Sequence, residues 1–178
     1  MARALVLIDI QNDYFPGGRH ELVGPERAAA NAARVLERFR AGGEPVLHVQ
    51  HVWEGEGAEF FEPGTAGVEI HEAVRPDGGE PVIQKHHPNS FIETDLEQRL
   101  RDAGVTDLVV AGMMTSMCVD ATVRAAADLG FGCTVVHDAC ATLDLEFDGR
   151  TIPAASVHGA FLAALGDGYA TVTSADDV

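Results

Sequence analysis

Cys118, Asp9 and Lys85 are the side chains whose types could together carry acyl transfer, and each stands at the carboxyl end of an apolar run. Cys118 follows the run Asp107–Gly112 and lies in the first turn of a helical stretch, Ser116–Leu129. A helix N-terminus carries partial positive charge and free backbone N–H groups. Both favour a thiolate, and the same N–H groups could bind the oxyanion that develops when a carbonyl is attacked. Asp9 follows Arg3–Ile8, and Lys85 closes Glu80–Lys85. Each residue also has a plain structural reading. An aspartate caps turns, a lysine sits in solvent, and a lone cysteine packs as a small hydrophobe. Cys133 lies inside an apolar run and reads as core. Cys140, near another strand end, reads as a wall of the site rather than its nucleophile.

The elements that must position these groups alternate between β-type and helical runs. Arg3–Ile8 is continuously apolar, as expected of a strand buried on both faces. Pro25 to Ala41 predicts a helix: Pro25 suits the first turn, Ala29, Ala33, Leu36 and Phe39 recur at helical spacing, and Gly42-Gly43 ends it. Pro45–Val52 and Glu80–Lys85 read as the second and third strands. Between them, Trp53 to Asp77 reads as a long loop with room for one helical turn, and loops of that length often line a site. Thr94 and Glu97 predict a capping box for a helix that reaches Ala103. Asp107–Gly112 is the fourth strand and Gly132–His137 the fifth. Thr151–Leu165 is the last helix, and Tyr169–Thr173 a sixth, edge strand. This order predicts a single domain over residues 1–178, with three α/β/α layers around a six-stranded, mostly parallel sheet. Ligands of such sheets bind beyond the carboxyl ends of the strands.

Composition narrows the partners. The chain has 178 residues, 46% hydrophobic and 22% charged, which is enough for a sizeable ordered core. A net charge of −16 argues against nucleic acid, which clustered Lys and Arg would hold, and reads as solubility. The apolar stretch Ala4–Ile8 is shorter than the ~7–15 residues of a secretory signal core, and no run nears the ~20 residues of a membrane span. Three cysteines make a poor disulfide framework. The expectation is a cytoplasmic protein with a small-molecule substrate and no membrane partner. Neither CxxC nor HExxH occurs, so no zinc cage is indicated.

Four segments carry a resemblance. Leu7–Phe15 (LIDIQNDYF) is similar to the opening motif of isochorismatase-like cysteine hydrolases, and Gln84–Phe91 (QKHHPNSF) resembles their lysine motif. Gly112–Thr122 (GMMTSMCVDAT) is similar to their nucleophile motif, and Asp138–Ala141 (DACA) to a later segment. The four occur in the family's order across nearly the whole chain. The resemblance implies that family's Rossmann-like fold and a catalytic triad of Asp9, Lys85 and Cys118. Asp9 would serve as base and then acid, Lys85 would hold Asp9 and favour the thiolate, and Cys118 would form an acyl-enzyme. It also implies a cis peptide bond between Met113 and Met114, aiming the Met114 N–H beside that of Cys118 as an oxyanion hole. A homodimer or larger homo-oligomer is implied as well.

Nicotinamidase-type relatives hold a metal with Asp and His after the second strand. Here that stretch is Leu47–Glu54, and His48 and His51 differ by three, so a strand turns them to opposite faces. No metal and no cofactor is expected. Isochorismatases proper cleave a vinyl ether without a cysteine nucleophile, and Cys118 weighs against that chemistry. The leading expectation is a metal-free amidohydrolase of the N-carbamoylsarcosine amidohydrolase kind, cleaving the C–N bond of a small amide or carbamoyl substrate. Vinyl-ether hydrolysis, metal-dependent nicotinamide hydrolysis and a thiol redox sensor pairing Cys118 with Cys140 are the alternatives. Asp9-Ile10-Gln11-Asn12 replaces the Gly-x-Gly-x-x-Gly turn that a dinucleotide needs. Tyr14, Phe15, Trp53 and Phe91 are the expected pocket walls. His86 and His87 face either substrate or solvent. Gln11 and Asn12 are expected to bind loop backbone, and Thr115 and Thr122 to make local backbone bonds.

Overall fold

Ala4 to Ile8 are all buried, as a strand covered on both faces requires, and they form most of β1 (Ala2–Ile8) in the interior of the sheet. In the computed structural model, which describes residues 2–178, β1 is followed by α1 (Pro25–Gly42), β2 (Val46–His51), β3 (Val82–Lys85), α2 (Leu96–Asp102) and β4 (Val105–Met113). Then come α3 (Asp120–Asp128), β5 (Gly132–Ala141), β6 (Leu145–Phe147), β7 (Arg150–Ile152), α4 (Ala154–Gly168) and β8 (Thr171–Thr173). Six strands lie in the order β3-β2-β1-β4-β5-β8, and every neighbouring pair is parallel. The expected six-stranded α/β sheet is therefore present.

The helices divide between the faces by their apolar stripes. α1 turns Ala28, Ala29, Ala32, Val35, Leu36 and Phe39 to one face. Leu96 and Leu100 of α2, Val123 and Ala126 of α3, and Leu162 and Leu165 of α4 pack on the other. The connection from β2 to β3 shares the α1 face, where it buries Phe61, Val68 and Val74. It holds two 3-10 turns, Ala66–Val68 and Glu72–Val74, where one helical turn is expected.

β1 and β4 are adjacent, although β2 and β3 intervene in the chain, so the order switches between them. That crevice is where doubly wound sheets bind ligands. The two strands meet closely at Ile8 and Gly112, which are register partners. Gly112 has φ +146°, and a Cβ there would collide with the Ile8 carbonyl oxygen. Only glycine fits this position.

Several expected boundaries shift. β5 does not end at His137 but continues through Asp138–Ala141, so Cys140 is a strand residue that pairs with Gly112. The last helix begins at Ala154 rather than Thr151, because Leu145–Phe147 and Arg150–Ile152 form an antiparallel hairpin ahead of it. The Thr94–Glu97 capping box does not form. α2 starts at Leu96 after Asp95, while Thr94 Oγ1 donates to the Ser90 carbonyl. The edge strand is trimmed to Thr171–Thr173.

Candidate active site

Asp9 leaves β1 with φ +50°, a left-handed conformation that costs a non-glycine residue about 1–3 kcal/mol and is tolerated where surroundings impose it. Its N–H is held by the Val49 carbonyl at 3.0 Å, and its side chain is wholly buried. Lys85, last residue of β3, is also 0% exposed. Its Nζ lies 2.7 Å from Asp9 Oδ2 and 3.2 Å from Cys118 Sγ. A buried ion pair of this kind needs close geometry to offset the loss of hydration.

Cys118 is not on an ordinary α-helical first turn. Thr115–Val119 is a π-helical turn ahead of α3, marked by the Val119 N–H donating to the Met114 carbonyl at 3.2 Å. Such turns recur at functional sites. The turn is pinned from outside: Thr115 Oγ1 contacts His158 Nδ1 at 2.9 Å, and Ser116 Oγ contacts Thr142 Oγ1 at 2.8 Å. The Met113–Met114 bond is cis. Thr115 also donates to the Ala141 carbonyl, and Thr122 bonds Ser90, so both threonines tie distant segments rather than making local bonds.

The resting thiol differs from the sequence expectation. Burial, and next the neighbouring Asp9 carboxylate, push the Cys118 thiol well above its ordinary range, and the nearby Lys85 ammonium only partly opposes them. The balance favours the thiol over the thiolate at Cys118 in the resting site, beside the Asp9 carboxylate. Burial alone would lower the Lys85 ammonium, but the Asp9 carboxylate first, and then interaction with Cys118, outweigh it and raise the net value.

A fourth group completes the cluster. His51, register partner of Lys85 across β2 and β3, brings Nδ1 to 2.9 Å from Lys85 Nζ. Donor atoms of Asp9, His51 and Cys118 lie within 4.8 Å of one another, close enough to suggest a metal cage. They surround the Lys85 ammonium, however, and a cation would have to displace it. His48 points the other way and contacts Glu80 Oε2 at 2.8 Å, so the two histidines occupy opposite faces as their spacing requires. His51 was readable as a site residue. Parallel strands place residues of one face side by side, and both residues end their strands.

The surrounding loops are organised by buried polar groups. Gln11 clamps His51 through both backbone groups, donating to its carbonyl at 2.8 Å and accepting from its N–H at 2.8 Å. Asn12 donates to the Ala66 carbonyl. Gln11 also donates to the Val68 carbonyl at 2.7 Å, so both serve loop backbone, as expected. Asp13 accepts from the Phe61 N–H at 2.6 Å and the Arg19 N–H at 3.1 Å. No sequence signal marked its role.

Tyr14 is buried, and its phenol is pushed up by burial first, then by Cys118 and Asp9. Its ring meets Phe61 edge-on at 4.6 Å, and Trp53 meets Phe60 at 5.8 Å, forming one aromatic wall. The other two expected wall residues each have a stacking partner. Phe15 stacks on His71 at 3.7 Å. Phe91 stacks on Phe131, ahead of β5 and so toward the amino ends of the strands. Each of these rings stacks on a partner distant in sequence. His86 Nδ1 contacts the Val52 carbonyl, and His87 faces solvent near Glu93. A recess of about 670 Å³ is lined by Asn12, Gln50, Glu69, His71, Arg75 and Val82 among others, and none of Asp9, Lys85 and Cys118 lines it.

The family model for an isochorismatase domain matches residues 3–177. The isochorismatase family protein YddQ of Bacillus subtilis is 56% identical, covering 99% of this chain and 98% of that protein. An isochorismatase structure from Pseudomonas putida superposes with a TM-score of 0.94 at 38% identity, covering 99% of this chain and 89% of the other. An N-carbamoylsarcosine amidase structure from Thermoplasma acidophilum gives 0.85 at 27% identity, with 100% and 99% coverage. Among the described residues, no helix is long and apolar enough to cross a membrane.

Proposed function

The chain belongs to the isochorismatase family, and from that premise we propose that it is a cysteine amidohydrolase acting on a small amide or carbamoyl compound. The observation that carries this reading is the buried Lys85 ammonium, 2.7 Å from a carboxylate and 3.2 Å from a thiol at the switch point of the sheet. Likeness to the amidase from Thermoplasma acidophilum supports the same bond class.

In this reading Cys118 Sγ attacks the substrate carbonyl carbon while its proton passes to Asp9. The oxyanion is met by the N–H groups of Met114 and Cys118. Collapse breaks the C–N bond, and Asp9 returns the proton to the departing amine. Water then attacks the thioester, giving its proton to Asp9; the S–C bond breaks and the thiol is restored. The raised thiol favours this order of events, since proton transfer accompanies attack instead of preceding it. Lys85 keeps its charge throughout and balances whichever of Asp9 and Cys118 is anionic.

The redox-sensor reading is weaker, because Cys140 Sγ is buried within β5 and donates to the Val136 carbonyl. A panel of amides, carbamoyl amino acids, nicotinamide and isochorismate tests the proposal. Turnover of at least one amide or carbamoyl compound is expected, falling by about 10³-fold or more in Cys118→Ala with the fold retained. Amidase activity preserved in Cys118→Ala would overturn it.

A further inference from the structure

We propose that His51 is a positioning residue of this site, whose Nδ1 takes the third proton of the Lys85 ammonium and so fixes how that ammonium points between Asp9 and Cys118. The purpose rests on the hydrolase reading, but the test needs no substrate.

An ammonium has three donors and no acceptor. The three contacts of Lys85 Nζ are Asp9 Oδ2, Cys118 Sγ and His51 Nδ1, at 2.7, 3.2 and 2.9 Å. With Lys85 wholly buried, a proton without an acceptor would be costly, and His51 supplies the neutral one. The contact also settles the ring chemistry. Nδ1 must accept, so the imidazole is neutral and carries its proton on Nε2. Nε2 has no hydrogen-bond partner, yet it is not among the sealed polar atoms of the interior, so it reaches the accessible side of the cluster.

The ring is held by more than this one bond. Gln11 fixes both backbone groups of His51, and Phe61 packs near the ring at 5.9 Å. The charged or titratable groups facing it are Lys85 with His86 and His87 from β3 and the residues after it, Asp9 from the end of β1, and Cys118 from the π-helical turn ahead of α3. Burial first, then Lys85, lowers its proton affinity to about 4, consistent with a permanent acceptor.

Two measurements test this. In the first, nitrogen NMR of histidine-labelled protein reads the tautomer, with the His51 signal assigned by its loss in His51→Asn. Between about pH 8 and about pH 5, His51 is expected to stay neutral with the proton on Nε2. In Lys85→Met the ring is freed and is expected to titrate higher. A proton on Nδ1, or titration near an ordinary ~6.5 in the intact protein, would overturn the proposal.

The second measurement is the rate of Cys118 alkylation by iodoacetamide at a fixed pH of about 8. His51→Leu removes the acceptor and is expected to slow alkylation by about tenfold, since the ammonium is no longer aimed at sulfur. His51→Asn keeps an oxygen near the Nδ1 position and is expected to restore the rate. An unchanged rate in a folded His51→Leu, or an Asn variant that behaves like Leu, counts against it.

Discussion

A cysteine, a lysine and an aspartate acquire a joint meaning only because each stands at or just beyond the carboxyl end of a different parallel strand. That much was legible from residue type and position, since apolar runs stopping at Asp9 and Lys85 mark strand ends whatever the tertiary structure. The resting protonation was not legible. A helix terminus suggested a thiolate, whereas depth of burial and the nearness of Asp9 favour the thiol, and both are tertiary facts. The aromatic residues divide on the same ground. Tyr14 meets Phe61 edge-on, whereas Phe15 and Phe91 stack on His71 and Phe131, partners no local pattern could name. The buried pair leads to a stability prediction. Lys85→Met leaves Asp9 as an uncompensated charge and should cost about 3–5 kcal/mol in urea unfolding. The double variant Asp9→Asn with Lys85→Met should recover part of that loss. A single variant as stable as the parent would show that the pair is not the closed ionic unit described.

At the scale of elements, the strand and helix order was readable because periodicity and glycine stops are local. The β6–β7 hairpin was not, since Leu145–Phe147 and Arg150–Ile152 are short, exposed strands with no buried face to impose a pattern. Gly112 is the tightest joint between β1 and β4. Gly112→Ala should destabilise by about 3 kcal/mol or more, because the positive φ and the collision with the Ile8 carbonyl act together. Thermal unfolding checks this, and an unaffected midpoint would contradict the close approach. Glu80 joins three elements. It accepts from Arg40 of α1 at 2.7 Å, contacts His48 of β2 at 2.8 Å, and accepts from the Asp77 N–H at 2.9 Å in the turn before β3. The Arg40 bond is the main cause that holds its carboxyl down at about 2, against an ordinary 4.5. A carboxyl depressed on folding stabilises the fold above its unfolded value, and that contribution is lost as pH falls through the folded one. Stability should therefore decline from about pH 4.5 toward pH 2. Glu80→Gln should be less stable at neutral pH and flatter across that window, as followed by urea unfolding at several pH values.

For the whole molecule, 28 acidic residues against 12 Lys and Arg leave a charge of −16, and self-repulsion opposes compactness. Screening should relieve it, so the unfolding temperature is expected to rise as ionic strength goes from about 0.01 M to about 0.15 M. A falling temperature would mean that surface ion pairs such as Arg3–Glu44 outweigh the repulsion. The sheet order, with β1 and β4 as neighbours, brings Asp9 and Cys118 to one crevice, and β2 and β3 add His51 and Lys85. Function thus depends on topology as much as on any residue. The most direct measurement is intact mass spectrometry of acid-quenched enzyme during turnover of an amide found in the panel. A mass increase equal to the acyl fragment, mapped to Cys118 and absent from Cys118→Ala, is expected. Turnover by Cys118→Ala at the parent rate, with no adduct on the parent, would contradict the assignment of Cys118 as the nucleophile.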